Sequence, residues 1–310
     1  MSLDIVSRPS TVAYCAMVIA VLGWGLSTTF IEFGLEFLEP FPFLFYRFVL
    51  AIILLTPLIF FFRALEFLKL IQNKWVWVIG ISEASGLILQ YLGQEREVTA
   101  GLAALLSLSF IVIVPFISPF ILNEQLEKHH LVAMSIAFIG VIFISSEGDL
   151  ANLSGNSILG IIFLLGAAVG YAFYIISTSR LTTIEEPTVD TFTLFYTVLL
   201  IITFFSFLAS LTFSKLEVVP TDAIQWVVLL TIFSTLIAFF AYFRSLQEIS
   251  ANVASVLLPL QVLVPFIVDF FVLGRNYSLW IITGSILIIL AMFIVVFQPY
   301  LGNARSESQS

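Results

Sequence analysis

The chain has 310 residues, of which 60% are hydrophobic and only 10% charged, and its mean hydropathy is +1.12. Soluble domains carry about 25% charged residues, so this chain cannot cover itself with a wettable surface, and its apolar side chains belong in lipid. A net charge of −8 excludes the clustered cations that a nucleic-acid partner would require.

A helix needs about 20 apolar residues to cross the hydrocarbon core. Such runs occur at Val12–Phe33, Phe41–Phe62, Trp75–Gln94, Val98–Leu122 and Leu131–Ser145, and again at Ser157–Thr178, Val189–Phe213, Ile224–Leu246, Ala251–Leu273 and Ser278–Phe297. The predicted fold is therefore all-α and integral to the membrane, with ten transmembrane helices. The first run is too long, and lacks the basic flank, for a cleaved leader, so it is predicted to persist as the first span. Cys15 within it is a lone cysteine, expected to pack as a small apolar group. Pro115 and Pro119 in the fourth run, and Pro259 and Pro265 in the ninth, predict kinks. The polar tail 301–310 is expected to be a disordered cytoplasmic segment.

Lys and Arg placement predicts orientation. With a cytoplasmic N-terminus, Arg8, Arg63, Lys69, Lys74, Lys128, Arg180, Arg244 and Arg305 lie inside, against Arg96, Lys215 and Arg275 outside. Both termini are thus expected in the cytoplasm of a multi-pass cell-membrane protein. A shift of 151 residues aligns Trp75 with Trp226, Tyr91 with Tyr242, Glu97 with Glu248, Ala100 with Ala251 and Ala103 with Ala254. Five spans per half make the second half enter from the opposite side. The expectation is two inverted five-helix repeats, residues 1–150 and 151–300.

Motifs along both halves then bear on family. The first span carries Gly23-Trp24-Gly25 and Phe30. The second reads Pro42-Phe43-Leu44-Phe45-Tyr46-Arg47-Phe48 and then Ala51. The fourth opens Thr99-Ala100-Gly101-Leu102-Ala103-Ala104 and closes Asn123-Glu124-Gln125-Leu126. The sixth has Tyr171-Ala172-Phe173-Tyr174 before Arg180, and the ninth runs Ser250-Ala251-Asn252-Val253-Ala254-Ser255. In order and spacing this resembles the EamA-type, ten-helix members of the drug/metabolite transporter superfamily. Phe110 and Val262 stand where that family often has proline, and Arg275 where it has an acid. The resemblance implies a secondary transporter, working by alternating access, for an amino acid, amine or related zwitterion, often as an exporter. It also implies that spans one, three, four, six, eight and nine surround a central cavity, with Trp24, Tyr171, Tyr174 and Tyr242 on them.

Ionisable groups at membrane depth are costly and mark cavities or ion pairs. Glu83 sits mid-way along the third run among Gly80, Ser82, Ala84 and Gly86. It is a candidate for binding a substrate amine or a proton, or for a structural hydrogen bond. Arg47 is expected at the depth of Glu32 and Asp269, as an outer gate or a fixed ion pair. Gln90, Gln261, Ser107, Ser109, Ser234 and Thr235 are polar positions that line the cavity or bridge helices. Gly166 and Gly170 predict close helix packing, within the chain or between two copies; the assembly is expected to be a monomer or a homodimer.

Competing classes leave weaker traces. An intramembrane zinc protease needs a His-Glu-x-x-His cluster, whereas His129 and His130 are adjacent in what is expected to be a cytoplasmic loop. No phosphate-binding Gly-rich Lys motif is present, and no repeated selectivity element marks a channel. The alternatives to a carrier are an intramembrane enzyme, or a channel or lipid scramblase. No cofactor or metal is expected, the chain is not expected to be an enzyme, and the partners expected are a small solute, the bilayer and, through Glu83, a coupling proton.

Overall fold

The computed structural model describes residues 9–96, 100–122, 127–153, 157–268, 271 and 277–307, with the backbone alone for 100–102, 152, 153 and 298–307. Among these residues every regular element is a helix. The first half comprises α1 (Thr11–Gly34), α2 (Pro40–Phe62), the short α3 (Ala64–Leu70), α4 (Lys74–Gln94), α5 (Ala100–Ser107), α6 (Phe110–Leu122) and α7 (Lys128–Ser146). A single 3₁₀ turn, Leu150–Leu153, leads to the second half. There α8 (Ile158–Arg180) ends in a π turn at Leu181–Glu185, and α9 (Thr191–Phe213) follows. Next, α10 (Thr221–Leu229) and α11 (Ala238–Ser245) are joined by a π-helical segment, Leu230–Ile237. Last come α12 (Ala251–Leu257), a 3₁₀ segment at Leu258–Val262, α13 (Leu263–Val268) and α14 (Leu279–Glu307).

Ten of the described helical stretches are long and apolar enough to cross a membrane, matching the ten runs to within a few residues. These helices are hydrophobic all round, and Phe61, Phe120 and Ile158 stand out from the bundle, as helices immersed in lipid do. Their starts are set by side chains that satisfy the otherwise unpaired first-turn N–H groups. Ser10, Asn73, Ser157, Asp190 and Ser250 each accept such a bond, and Pro40 opens α2.

Small residues set the closest approaches. A Cβ on Gly170 of α8 would lie 2.9 Å from the Ser82 carbonyl of α4. On Gly284 of α14 it would lie 2.5 Å from the Gly140 carbonyl of α7. Gly170 thus packs two helices of one chain, and Gly166 faces Leu89 of the same pair.

The packing partners include α4 with α8 and with α9, α6 with α8 and with α12, α1 with α11, its π segment and the ninth span, α2 with α9 and with that π segment, and α7 with α14. Exchanging each span for the one five places along leaves this set unchanged. The helix breaks obey the same relation. The fourth span is interrupted at Leu108 and Ser109, and the ninth at Leu258–Val262, which the 151-residue shift carries onto 107–111.

Two expectations need correction. The fourth span breaks upstream of Pro115, where Ser109 turns its hydroxyl onto the Leu106 carbonyl at 2.6 Å; Pro115 and Pro119 themselves lie inside α6. The tail is helical as far as Glu307, because an established helix propagates readily into residues such as Ala304 and Arg305.

Candidate functional site

The centre of the bundle is built on α4. Gly80 lets Ile201 of α9 sit on the α4 backbone, and Gly86 does the same for the Tyr171 ring of α8; a Cβ at Gly86 would lie 2.7 Å from that ring. One turn above Gly80, on this closely packed stretch, is Glu83, 5% exposed. Its Oε2 is buried and has no hydrogen-bond partner.

Around Glu83 stand phenols and one cation. Tyr171 donates its hydroxyl to Gln90 Oε1 at 2.5 Å. Tyr174, one turn further along α8, stacks on Tyr242 of α11 with centroids 5.0 Å apart and planes 19° apart. Its hydroxyl is also buried without a partner. Trp24 of α1 closes the aromatic wall, 5.1 Å from both Tyr242 and Phe239. Arg47 of α2 is 3% exposed. Its Nε donates to Thr235 Oγ1 at 3.1 Å, and its guanidinium carbon lies 4.6 Å from the Phe48 ring centroid. Among the described residues no carboxylate oxygen comes within 4.0 Å of Arg47. Arg47 and Glu83 therefore act on each other through the low-dielectric core without touching, and Tyr171 lies in the field of both.

A buried acceptor without a donor costs free energy that a bound molecule, an ordered water or a proton can recover. A carboxylate, a guanidinium and aromatic faces in one enclosed cluster can hold an ammonium group, a carboxylate and an apolar body together.

The profile of the EamA-like transporter family matches residues 11–146 and 158–297. The chain belongs to the EamA-like transporter family. Three relatives from Archaeoglobus fulgidus, each named an uncharacterized transporter, are 27%, 24% and 25% identical to it. The first alignment covers 91% of this chain and 98% of the relative, and the second 92% and 97%. A crystal structure of a protein with 17% identity superposes with a TM-score of 0.76, over 94% of this chain and 99% of its own; that likeness is one of fold.

Within this EamA-like chain the expected site residues separate into groups. Glu83, Trp24, Gln90, Tyr171, Tyr174 and Tyr242 come together around the cluster. Gln261 lies on the broken ninth span, its backbone against Gly25 of α1. Ser234 and Thr235 bridge helices: Ser234 donates to the Gly23 carbonyl at 2.7 Å, and Thr235 accepts from Arg47. Glu32 is exposed and forms no pair with Arg47. Arg47 bonds Thr235, next to the Ser234 that bonds the Gly23 carbonyl, whereas Glu32 lies nine residues, about 13 Å, further along α1, where Phe33 stacks on Trp226 at 5.0 Å. Asp269 lies outside the described residues. Tyr91, 7% exposed and in the field of Arg47, belongs to the cluster but was not among the expected site residues. Its alignment with Tyr242 under the 151-residue shift was the signal that could have found it.

The two ends of the bundle differ. At the end where α1 begins, Arg180 donates to the Ile121 carbonyl at 2.6 Å, pairs with Glu185 at 2.7 Å and lies over the Trp75 ring. Beside it, Thr182 donates to the Leu246 carbonyl and Gln247 to Thr191. Ser10 donates its N–H to Glu248 at 2.7 Å, and Arg244 pairs with the same carboxylate. Bonds from Ser10 above all, with Arg244, hold the Glu248 carboxyl down to about 2. The opposite end is joined by aromatic contacts, Phe33 on Trp226 and Phe30 on Phe233. It carries a cavity of about 380 Å³ lined by Phe37, Glu39, Lys215 and Glu217 among others.

Proposed function

We propose that this transporter is a secondary carrier that exports a small amine, amino acid or related zwitterion across the cell membrane by alternating access. The observation that carries the reading is Glu83: a carboxylate buried at membrane depth, unpaired, and enclosed by Arg47 and tyrosines from both halves of the chain. A purely structural carboxylate in lipid would be expected to spend both oxygens on donors. In this reading Glu83 takes the substrate ammonium or a coupling proton, Arg47 takes a substrate carboxylate, and Trp24, Tyr174 and Tyr242 face its apolar part.

Alternating access is supported by the matched interruptions of the fourth and ninth spans, where a helix can bend without losing its neighbours. The exchange symmetry of the packing and the 151-residue alignment support two inverted repeats, 1–150 and 151–300. The excess of Lys and Arg at the end where α1 begins supports cytoplasmic termini.

The test is the purified protein in liposomes, supplied with labelled amino acids and amines under solute and pH gradients. Saturable accumulation of at least one solute, lowered about 10- to 100-fold by Glu83→Gln, is the expected result. Flux that never saturates would identify a channel. Lipid scrambling without solute uptake, or chemical conversion of the solute, would replace the carrier reading outright. A Glu83→Gln protein that keeps a full pH response would remove the proton from the scheme.

A further inference from the structure

We propose that the groove between α2, α4 and α9 binds the acyl chain of an anionic membrane lipid, with the lipid headgroup held by Lys69 and Lys74. The groove contains none of the candidate substrate-binding side chains and differs in chemistry from the Glu83 cluster, although its wall residue Ile201 also packs on Gly80 of α4. It has a volume of about 590 Å³ and is lined by Phe45, Ile71, Trp77, Ile201, Phe204 and Phe207, among others. That volume lies within the ~300–1,000 Å³ of sites that hold small molecules.

The walls select an apolar occupant. Thr203 brings a hydroxyl to the lining, and that hydroxyl is already donated to the Leu199 carbonyl at 2.7 Å. Phe204 and Trp77 are 54% and 40% exposed, so the groove opens sideways, where the bilayer lies, rather than toward either end of the bundle. The far end is closed by Phe45 against Phe207, with centroids 5.2 Å apart. At the near end the Trp77 indole donates to the Ile71 carbonyl at 2.7 Å and is fixed over the turn between α3 and α4.

Charge selects the headgroup. Lys69 and Lys74 flank Ile71 in that turn, and both are exposed. Among the described residues Lys74 has no carboxylate within 4.0 Å, and Lys69 has Glu186 at 3.9 Å. Leu65 and Leu68 of α3 are exposed beside them, as on a helix lying in the headgroup layer. Two ammonium groups at the mouth of a chain-sized apolar groove match a lipid phosphate above a hydrocarbon tail. Each basic residue at such a surface favours an anionic lipid by about fivefold.

The experiment uses the full-length protein in phosphatidylcholine vesicles with rising fractions of brominated-chain phosphatidylglycerol, or of brominated phosphatidylcholine as control. Bromine quenches tryptophan fluorescence on contact. Quenching is expected to saturate at a fraction of the anionic lipid lower by about fivefold for each of the two lysines, and Trp77→Phe should remove the preferentially quenched emission. Lys69→Gln with Lys74→Gln should reduce the preference by about fivefold per lysine. Thr203→Phe, which fills the groove and keeps both lysines, should abolish it in protein that still elutes as a single species. Equal quenching by the two lipids overturns the proposal. So does quenching that falls as protein is raised at fixed lipid composition, since a second copy of the chain would then occupy the groove.

Discussion

The third and eighth spans occupy corresponding places and are chemically unlike. The 151-residue shift takes Trp75 to Trp226, Glu83 to Ser234 and Tyr91 to Tyr242. Each span packs on a corresponding neighbour, α4 on α8 and the eighth span on α1. The third span is one unbroken α-helix that carries an unpaired carboxylate. The eighth is π-helical from Leu230 to Ile237, and its hydroxyls are committed: Ser234 to the Gly23 carbonyl, Thr231 to the Arg47 carbonyl and Thr235 to the Arg47 side chain. Extra backbone turns of this kind often mark working sites in helices. One scaffold element therefore supplies the charge, and its counterpart supplies the clamp that holds the opposite charge, Arg47, in place.

The sharpest way to break this division is to exchange its two central residues. Glu83→Gln alone is expected to lower liposome uptake by about 10- to 100-fold, the worth of one charge-assisted contact. Its melting temperature in detergent should be unchanged or higher, because a buried unpaired carboxylate is itself a cost. Moving the acid to the other half, with Glu83→Ser and Ser234→Glu together, should not restore uptake. Restored uptake would show that the two spans are interchangeable and that the clamp has no separate role.

A second substitution tests the clamp. Thr235→Val removes the acceptor of the Arg47 Nε bond while leaving both charges in place. Uptake of a zwitterion is expected to fall by about 10-fold, and stability by about 1–3 kcal/mol, because a buried charged donor loses its partner. Uptake of a simple amine, which offers Arg47 nothing to bind, should change less. A Thr235→Val protein that treats both solutes alike would separate Arg47 from recognition.

How much of this was legible beforehand follows from the kind of physics involved. The ten spans were readable because the cost of unpaired backbone in lipid dominates every local preference, and the burial of Glu83 because Gly80, Ala84 and Gly86 beside it allow close helix approach. Helix depth was not readable. Glu32 was expected level with Arg47, but the Arg47 guanidinium bonds Thr235, next to the Ser234 that bonds the Gly23 carbonyl, and Glu32 lies nine residues, about 13 Å, further along α1. The break in the fourth span was likewise hidden, since Pro115 was the visible breaker and Ser109 the actual site. The groove beneath Trp77 needs three helices at once, and no linear pattern announces it.

Packing beneath the cluster gives a smaller effect on the same comparison. Gly86 of the third span corresponds to Ile237 of the eighth, and there the close approach is made instead by Gly23 of α1, against Phe233 and Ala238. Gly86→Ala would push a methyl group to 2.7 Å from the Tyr171 ring, and that ring must tilt to yield. The expected cost is about 1–3 kcal/mol of stability. Uptake should fall with it, because the Tyr171 bond to Gln90 goes with the ring. Ile237→Ala, facing outward at 42% exposure, should leave both nearly unchanged.

The least of these effects concerns the loop that follows the eighth span. Burial raises the carboxyl of Glu95, just past the end of the third span, whereas bonds from Ser10 and Arg244 lower that of Glu248, just past the eighth, from 4.5 to about 2. A carboxyl lowered on folding stabilises the fold fully above its unfolded value and loses that contribution as pH falls through the folded one. The link from Glu248 to Ser10 should therefore hold at neutral pH and weaken progressively between about 4.5 and 2. Glu248→Gln should flatten that part of a melting-temperature profile and lower the neutral-pH plateau by no more than about 2 °C, since the pair is partly exposed. A variant whose acid limb matches that of the parent would mean that other carboxylates govern the acid response, and that Glu248 ties Ser10 to the bundle without adding to its stability.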